Sequence, residues 1–145
     1  MNSIEFFFED IISIPIHEKI LLLHLNSLIK NELRKTGDIS VVFCSDEYLL
    51  EMNKEYLNHD YYTDIITFDY VEGETISGDL FISLDRVREN AKKFEISFLR
   101  ELYRVVFHGT LHLVGYNDKS EEEQRIMRQK ENYYLSEVDF EGLEL

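Results

Sequence analysis

Between Ser97 and Gly115 the apolar residues Phe98, Leu99, Leu102, Val106 and Leu113 occupy most of a helical circumference. A helix of that kind has little polar surface to offer water, so the fold must close around it. One stripe interrupts it. Glu101, Arg104, His108 and His112 follow a 3–4–4 spacing that keeps all four on one side. Enclosing such a helix takes a substantial core. The 145 residues are 44% hydrophobic, with 10 Phe and 9 Tyr, which suffices for one domain spanning 1–145. Pro and Gly are too few, and the apolar residues too evenly spread, for a disordered or low-complexity chain.

The rest of the chain supplies the enclosure. Ile4–Phe8 reads as a strand. A helix is expected to start at Pro15, with Ile16, Ile20, Leu23, Leu28 and Leu33 on its inner side, and to stop at Gly37. Ile39–Cys44 reads as a buried strand, and Ser45 caps a second helix bearing Leu49, Met52 and Tyr56. Asn58–Tyr62 is a polar loop, Thr63–Tyr70 a strand, Val71–Ser77 a hairpin-like connection with Gly73 near its tip, and Gly78–Ser83 a strand. Helices are expected over Asp85–Phe94 and from Ser97 to about Val114. A capping box at Ser120–Glu123 opens the last, to about Leu135. The short connection at Gly73 requires an antiparallel pair. The expected class is α+β, a mixed four-stranded sheet covered by about five helices.

Cys44 is the single cysteine, so no internal disulfide exists, and in an apolar strand it reads as an inert core thiol. No apolar run approaches membrane-spanning length, and the N-terminal residues lack a basic leader and cleavage site; a cytoplasmic protein is expected. The formal charge is −14 and the pI about 4.7, which cuts against a simple nucleic-acid binder, since a duplex-binding module usually has a basic face. Residues 86–104 are an exception, with six bases (Arg86, Arg88, Lys92, Lys93, Arg100, Arg104) against three acids. A solvated helix face explains them as readily as a basic strip.

The chemistry concentrates at residues 108–118, HGTLHLVGYND. His108 and His112 stand one helical turn apart, so both imidazoles can reach one ion. Gly115 can end the helix and return the chain over the pair, bringing Asp118 in as a third ligand. Three protein donors with an open position is the catalytic zinc pattern; iron, nickel or manganese suits the same donors. A His pair at this spacing alone is more often structural, and the glycine turn and the carboxylate tip the balance toward a metal. A zinc protease carries Glu directly after the first His; here that position is Gly109. Arg104 is placed to stabilise an anionic substrate, and Glu101 to support a ligating His, although a plain Glu101–Arg104 pair accounts for both. His17 and His24 read as structural. His59 is a loop candidate for phosphate or substrate contact, and Tyr61 and Tyr62 could stack on unpaired bases, although packing explains such a pair as well.

HGTLHLVGYND resembles the HGxLHLxGYDH signature of the bacterial YbeY family. The segment from Asn53 to Asp60, followed by TDIITF, is similar to that family's N-x-x-Y-R-x-K-D…TDVLSF, and GDLFIS to its GDI-[VF]-IS. Together these blocks cover about residues 40–135. The resemblance implies a zinc-dependent, single-strand-specific endoribonuclease, with one ion per chain held by His108, His112 and Asp118. It implies roles in ribosomal RNA processing, small-subunit maturation and ribosome quality control. The implied partners are single-stranded and ribosomal RNA and the ribosome or its small-subunit assembly proteins, with neither DNA nor membrane. Arg104 is then a catalytic residue alongside the three ligands, and His59 and Arg86 are substrate contacts. The family's third ligand His falls at Asp118, its preceding Asp at Asn117, its loop Arg at Leu57 and its loop Lys at His59. Leu57 removes a bidentate phosphate contact. Two other readings stand beside this one: an assembly factor with a mainly structural metal, and a metal hydrolase of a non-RNA substrate.

Overall fold

The structure is a computed structural model that describes residues 3–143. Ten elements follow one another: β1 (Ile4–Phe8), α1 (Glu18–Asn31), β2 (Lys35–Cys44), α2 (Asp46–Leu57), β3 (Ile65–Asp69), β4 (Thr75–Ser83), α3 (Leu84–Phe94), α4 (Phe98–Val114), α5 (Glu121–Leu135) and α6 (Phe140–Leu143). The strands form one sheet in the order β1-β2-β4-β3, with β1–β2 and β2–β4 parallel and β3–β4 antiparallel. The expected α+β class with a mixed four-stranded sheet holds, with a short sixth helix added at the C-terminal end. Among the described residues, no helix is long and apolar enough to cross a membrane.

Side-chain alternation divides the core. Ile39, Val41, Phe43, Ile76, Leu80 and Ile82 project into the larger cluster with α1 and α4. Cys44 and Ile66 lie in a smaller cluster with Leu49 of α2. Burial, reinforced by the negative charges of Asp10, Asp85, Glu9 and Asp46, pushes the Cys44 thiol up to about 12, in keeping with an inert core thiol. The α4 helix is buried along nearly its whole length, with α3 and α5 packed against it. Gly109 allows its close approach to the sheet. A Cβ there would lie 2.6 Å from Ile65 Cδ1 and 3.0 Å from Leu80 Cδ2. The residue that distinguishes the motif from a protease helix is thus a packing requirement of this fold.

Several boundaries differ from expectation: β2 starts earlier, at Lys35 rather than Ile39, β3 is shorter, Ile65–Asp69 rather than Thr63–Tyr70, and those of α1 and β4 move for reasons the contacts show. Helix α1 starts at Glu18 rather than Pro15, because Ile16 is anchored in the core and its carbonyl accepts the Tyr103 hydroxyl (2.9 Å). Its buried stripe is Leu21, Leu25, Leu28 and Ile29, while Leu23 and Leu33 face solvent. The helix ends at Asn31, with Leu33 rather than a glycine taking positive φ. Gly37 lies inside β2 beside a register irregularity, where a Cβ would collide with Ser77 Oγ. Finally, β4 begins at Thr75, because this segment also pairs with Lys35 and Thr36 of β2, leaving only a tight turn around Gly73.

Candidate metal centre

The two histidines project from the last turns of α4. Gly115 caps that helix at φ 126°, its N–H donating to the His112 and Leu111 carbonyls (both 3.1 Å). A side chain with a Cβ is strained at that φ, and the glycine lets the chain double back. The Ser120 capping box then starts α5. Between these two local signals, Asp118 is carried over the imidazoles.

Three donor atoms converge there. The Nε2 atoms of His108 and His112 are 3.0 Å apart, and Asp118 Oδ2 lies 3.2 Å from the first and 3.3 Å from the second. Each imidazole is oriented by its other nitrogen. His112 Nδ1–H donates to the Tyr116 carbonyl (2.9 Å), which can only accept. His108 Nδ1–H donates to Glu131 Oε2 (2.6 Å). In the neutral rings both Nε2 atoms therefore present lone pairs to each other and to a carboxylate. Such a cluster needs a cation at its centre, either a shared proton or a metal ion. The donor set, two imidazoles and one carboxylate, fits a divalent transition metal, and it is the one such group of three among the described residues.

Glu131 does not stand out in the sequence. It is a buried carboxylate on α5 whose Oε1 also accepts from Arg104 Nη1 (3.2 Å). A signal for it exists: Met127, Glu131, Tyr134 and Leu135 recur at helical spacing, which places an acid on the inner stripe of α5. Arg104 joins Glu131 to Glu101, which is fully buried. Its Nε donates to Glu101 Oε1 (2.9 Å) and its Nη2 to the other carboxylate oxygen. The Glu101–Arg104 pair is thus intrahelical, and the carboxylate that supports a histidine is Glu131.

The remaining expected site residues are dispersed. His59 lies on the wall of a cleft of about 490 Å³ that also exposes His108, His112 and Asp118. Its ring stacks on Tyr61 at 5.1 Å, and its Nδ1 meets the Tyr61 hydroxyl at 3.0 Å. The loop is pinned by buried Asn53, whose carbonyl accepts the His59 N–H and whose Nδ2 donates to the Tyr61 carbonyl (both 2.9 Å). Leu57 and Asp64 share the cleft wall. Arg86 is not brought there. It pairs with Asp46 (2.8 Å), lies over the Tyr62 ring, and borders neither the cleft nor the groove beyond His108. Arg104 borders that second groove with its three guanidinium nitrogens engaged by carboxylates.

A sequence model of the family described as Endoribonuclease YbeY matches residues 10–139. The chain belongs to the YbeY endoribonuclease family. It is 52% identical over 134 residues to the Endoribonuclease YbeY of Parabacteroides distasonis, covering 92% of this chain and 94% of that one. It is 59% identical over 103 residues to the Endoribonuclease YbeY of Phocaeicola vulgatus, covering 71% and 75%. The solution structure of TM1509 from Thermotoga maritima superposes with a TM-score of 0.67 at 29% identity, covering 98% of this chain and 93% of that one. The YbeY resemblance of the 108–118 segment therefore extends over residues 10–139.

The charges around the cluster predict opposite pH responses with and without a cation. Burial alone pushes the His108 imidazolium down, but the hydrogen bond and charge of Glu131, with the carboxylates of Asp118 and Asp64, hold it above its ordinary value. Burial likewise pushes Glu131 up, but His108, Arg104 and Arg128 hold it below its ordinary value. In the metal-free protein, His108 contributes stability that is complete below the unfolded imidazole value, about 6.5, and is lost as pH rises through its raised folded value. Glu131 contributes stability present above about 4.3 and lost as pH falls through its depressed value. Chelator-treated protein should therefore lose urea resistance as pH rises above about 6.5, through the raised folded value of His108. Cation affinity should increase over the same interval, because the ion displaces the proton. Urea midpoints with chelator and with added zinc check this; a chelated midpoint that climbs through this interval would contradict it.

Proposed function

We propose that the chain acts as a single-domain, zinc-dependent, single-strand-specific endoribonuclease in ribosomal RNA processing, with roles in small-subunit maturation and ribosome quality control. On this reading it works in the cytoplasm beside the ribosome and its small-subunit assembly proteins. The observation that carries it is the convergence of His108 Nε2, His112 Nε2 and Asp118 Oδ2, with both Nδ1–H groups engaged elsewhere. These three residues would hold the ion, which supplies Lewis acidity toward a phosphoryl oxygen and toward water. Tyr116 and Glu131 fix the imidazole orientations, and Glu131 raises the basicity of His108. Arg104 neutralises Glu131 and Glu101, acting through the ligand shell rather than on the phosphate.

The cleft favours an unpaired strand. His59 and Tyr61 offer stacked ring faces to bases that are free to leave a stack, whereas paired bases have no such freedom. The test is cleavage of a single-stranded ribosomal RNA fragment by zinc-loaded protein, chelator-treated protein and chelated protein resupplied with zinc. Activity that disappears with chelation and returns with zinc supports the reading. Equal cleavage in all three, or none in any, would remove it.

A further inference from the structure

On the endoribonuclease reading, an acidic protein must still hold a phosphate backbone next to its cation site. The cleft on the loop side cannot do this by charge. Its walls carry His59, Tyr61, Asn117 and Asp64, and neither lysine nor arginine. The basic stretch 86–104 does not help either. Arg86 pairs with Asp46, Arg88 lies over Phe98, Lys93 over Phe94 and Arg100 over Phe140, and none of them borders either opening.

The groove between α4 and α5 is different. It shares His108 and Asp118 with the cleft, so these two side chains form the divide between the two openings. Its walls carry three arginines, Arg104, Arg125 and Arg128. Arg104 is engaged by two buried carboxylates. The other two stand three residues apart on α5, a spacing that puts them on one face. Their side chains are 55% and 58% exposed. Arg128 touches Glu131 only at 3.5 Å, and Glu131 is already held by Arg104 and His108. Arg125 forms a two-point pair with Glu122 through Nε (3.2 Å) and Nη2, and both side chains are more than half exposed, so a phosphate competes with Glu122 for it in solvent.

We infer that Arg125 and Arg128 form a phosphate-binding subsite for single-stranded RNA, which holds the sugar–phosphate backbone flanking the scissile linkage. The strand then crosses the divide at His108 and Asp118 with its phosphates on α5 and its bases turned toward His59 and Tyr61. This rests on the endoribonuclease reading and adds to it a direction of binding. It also supplies the cations that Leu57 removes from the loop.

The experiment compares the parent, the double variant Arg125→Gln/Arg128→Gln and the charge-keeping double variant Arg125→Lys/Arg128→Lys. Glutamine and lysine are good helix formers, so α5 persists, and circular dichroism checks this. Binding of a short fluorescein-labelled oligouridylate is followed by anisotropy in chelator, from about 50 to 200 mM salt. The glutamine variant should bind about tenfold more weakly at low salt. Its log–log salt slope should be shallower by about 1.4, two contacts at about 0.7 each. The lysine variant should keep the parent slope. With zinc, the glutamine variant should raise KM about tenfold, with kcat and zinc content unchanged. Parent-like affinity and slope in the glutamine variant, while the parent binds and cleaves, would overturn the subsite and leave the endoribonuclease reading standing. So would a loss confined to kcat. A parent that neither binds nor cleaves RNA with zinc present would overturn the reading itself, and the subsite with it.

Discussion

His112→Ala is expected to abolish tight cation binding and lower RNA cleavage by about three orders of magnitude, the scale on which loss of a principal electrostatic stabiliser acts. Two donors, His108 Nε2 and Asp118 Oδ2, would remain in place. The fold should survive. His112 is partly exposed, and the substitution removes its hydrogen bond to the Tyr116 carbonyl, worth about 1 kcal/mol. The turn keeps its backbone bonds from Gly115 and Tyr116 to Leu111. Zinc content after dialysis, thermal unfolding in chelator and cleavage rate form the measurement. Loss of cleavage at full zinc occupancy would move His112 out of the ligand set. Asp118→Ala supplies the companion check, since parent-like zinc affinity there would eliminate the carboxylate as third donor.

Arg104→Leu should act in the opposite order, on stability first. Its guanidinium lies between two buried carboxylates, Glu101 and Glu131. Removing the cation from such a cluster costs about 3–5 kcal/mol, because the remaining charges stay buried without compensation. Glu131 would keep Arg128 and His108, whereas Glu101 would lose its ion-pair partner. Zinc affinity should drop about 10- to 100-fold, because the Glu131 carboxylate loses the Arg104 contact that fixes it against His108. Urea unfolding in chelator and zinc titration read the two effects separately. A variant with parent stability and parent zinc affinity that loses only kcat would instead make Arg104 a catalytic residue acting on the phosphate.

These residues also mark how far the sequence can be read. The His108–His112 pair, the turn at Gly115 and the return of Asp118 lie within eleven consecutive positions. Their geometry follows from one helix, one glycine and one capping box, so it is legible without the rest of the fold. Glu131 is harder to find, although its place on the inner stripe of α5 is a usable sign. Arg104 reads either as a stabiliser of an anionic substrate or as a plain partner of Glu101, because helical spacing shows which residues share a face but not which carboxylate arrives from another helix. The same holds for Arg86, since its partner Asp46 comes from the start of α2. Helix α1 begins three residues later than Pro15 suggests because the anchor is a hydroxyl 87 positions away, Tyr103 on the Ile16 carbonyl.

By itself, then, the sequence determined the α+β class, the central buried helix and the three-donor cluster. Each rests on backbone periodicity or on a turn whose requirements are local. The tertiary structure decided which carboxylate orients His108, which arginines remain available beside the site, and that His59 lines the cleft onto which the cluster opens. Those choices depend on how α5 and the 58–62 loop pack against α4 and the sheet. Burial of apolar surface drives that packing without encoding direction, so its outcome depends on the whole core and not on any one segment.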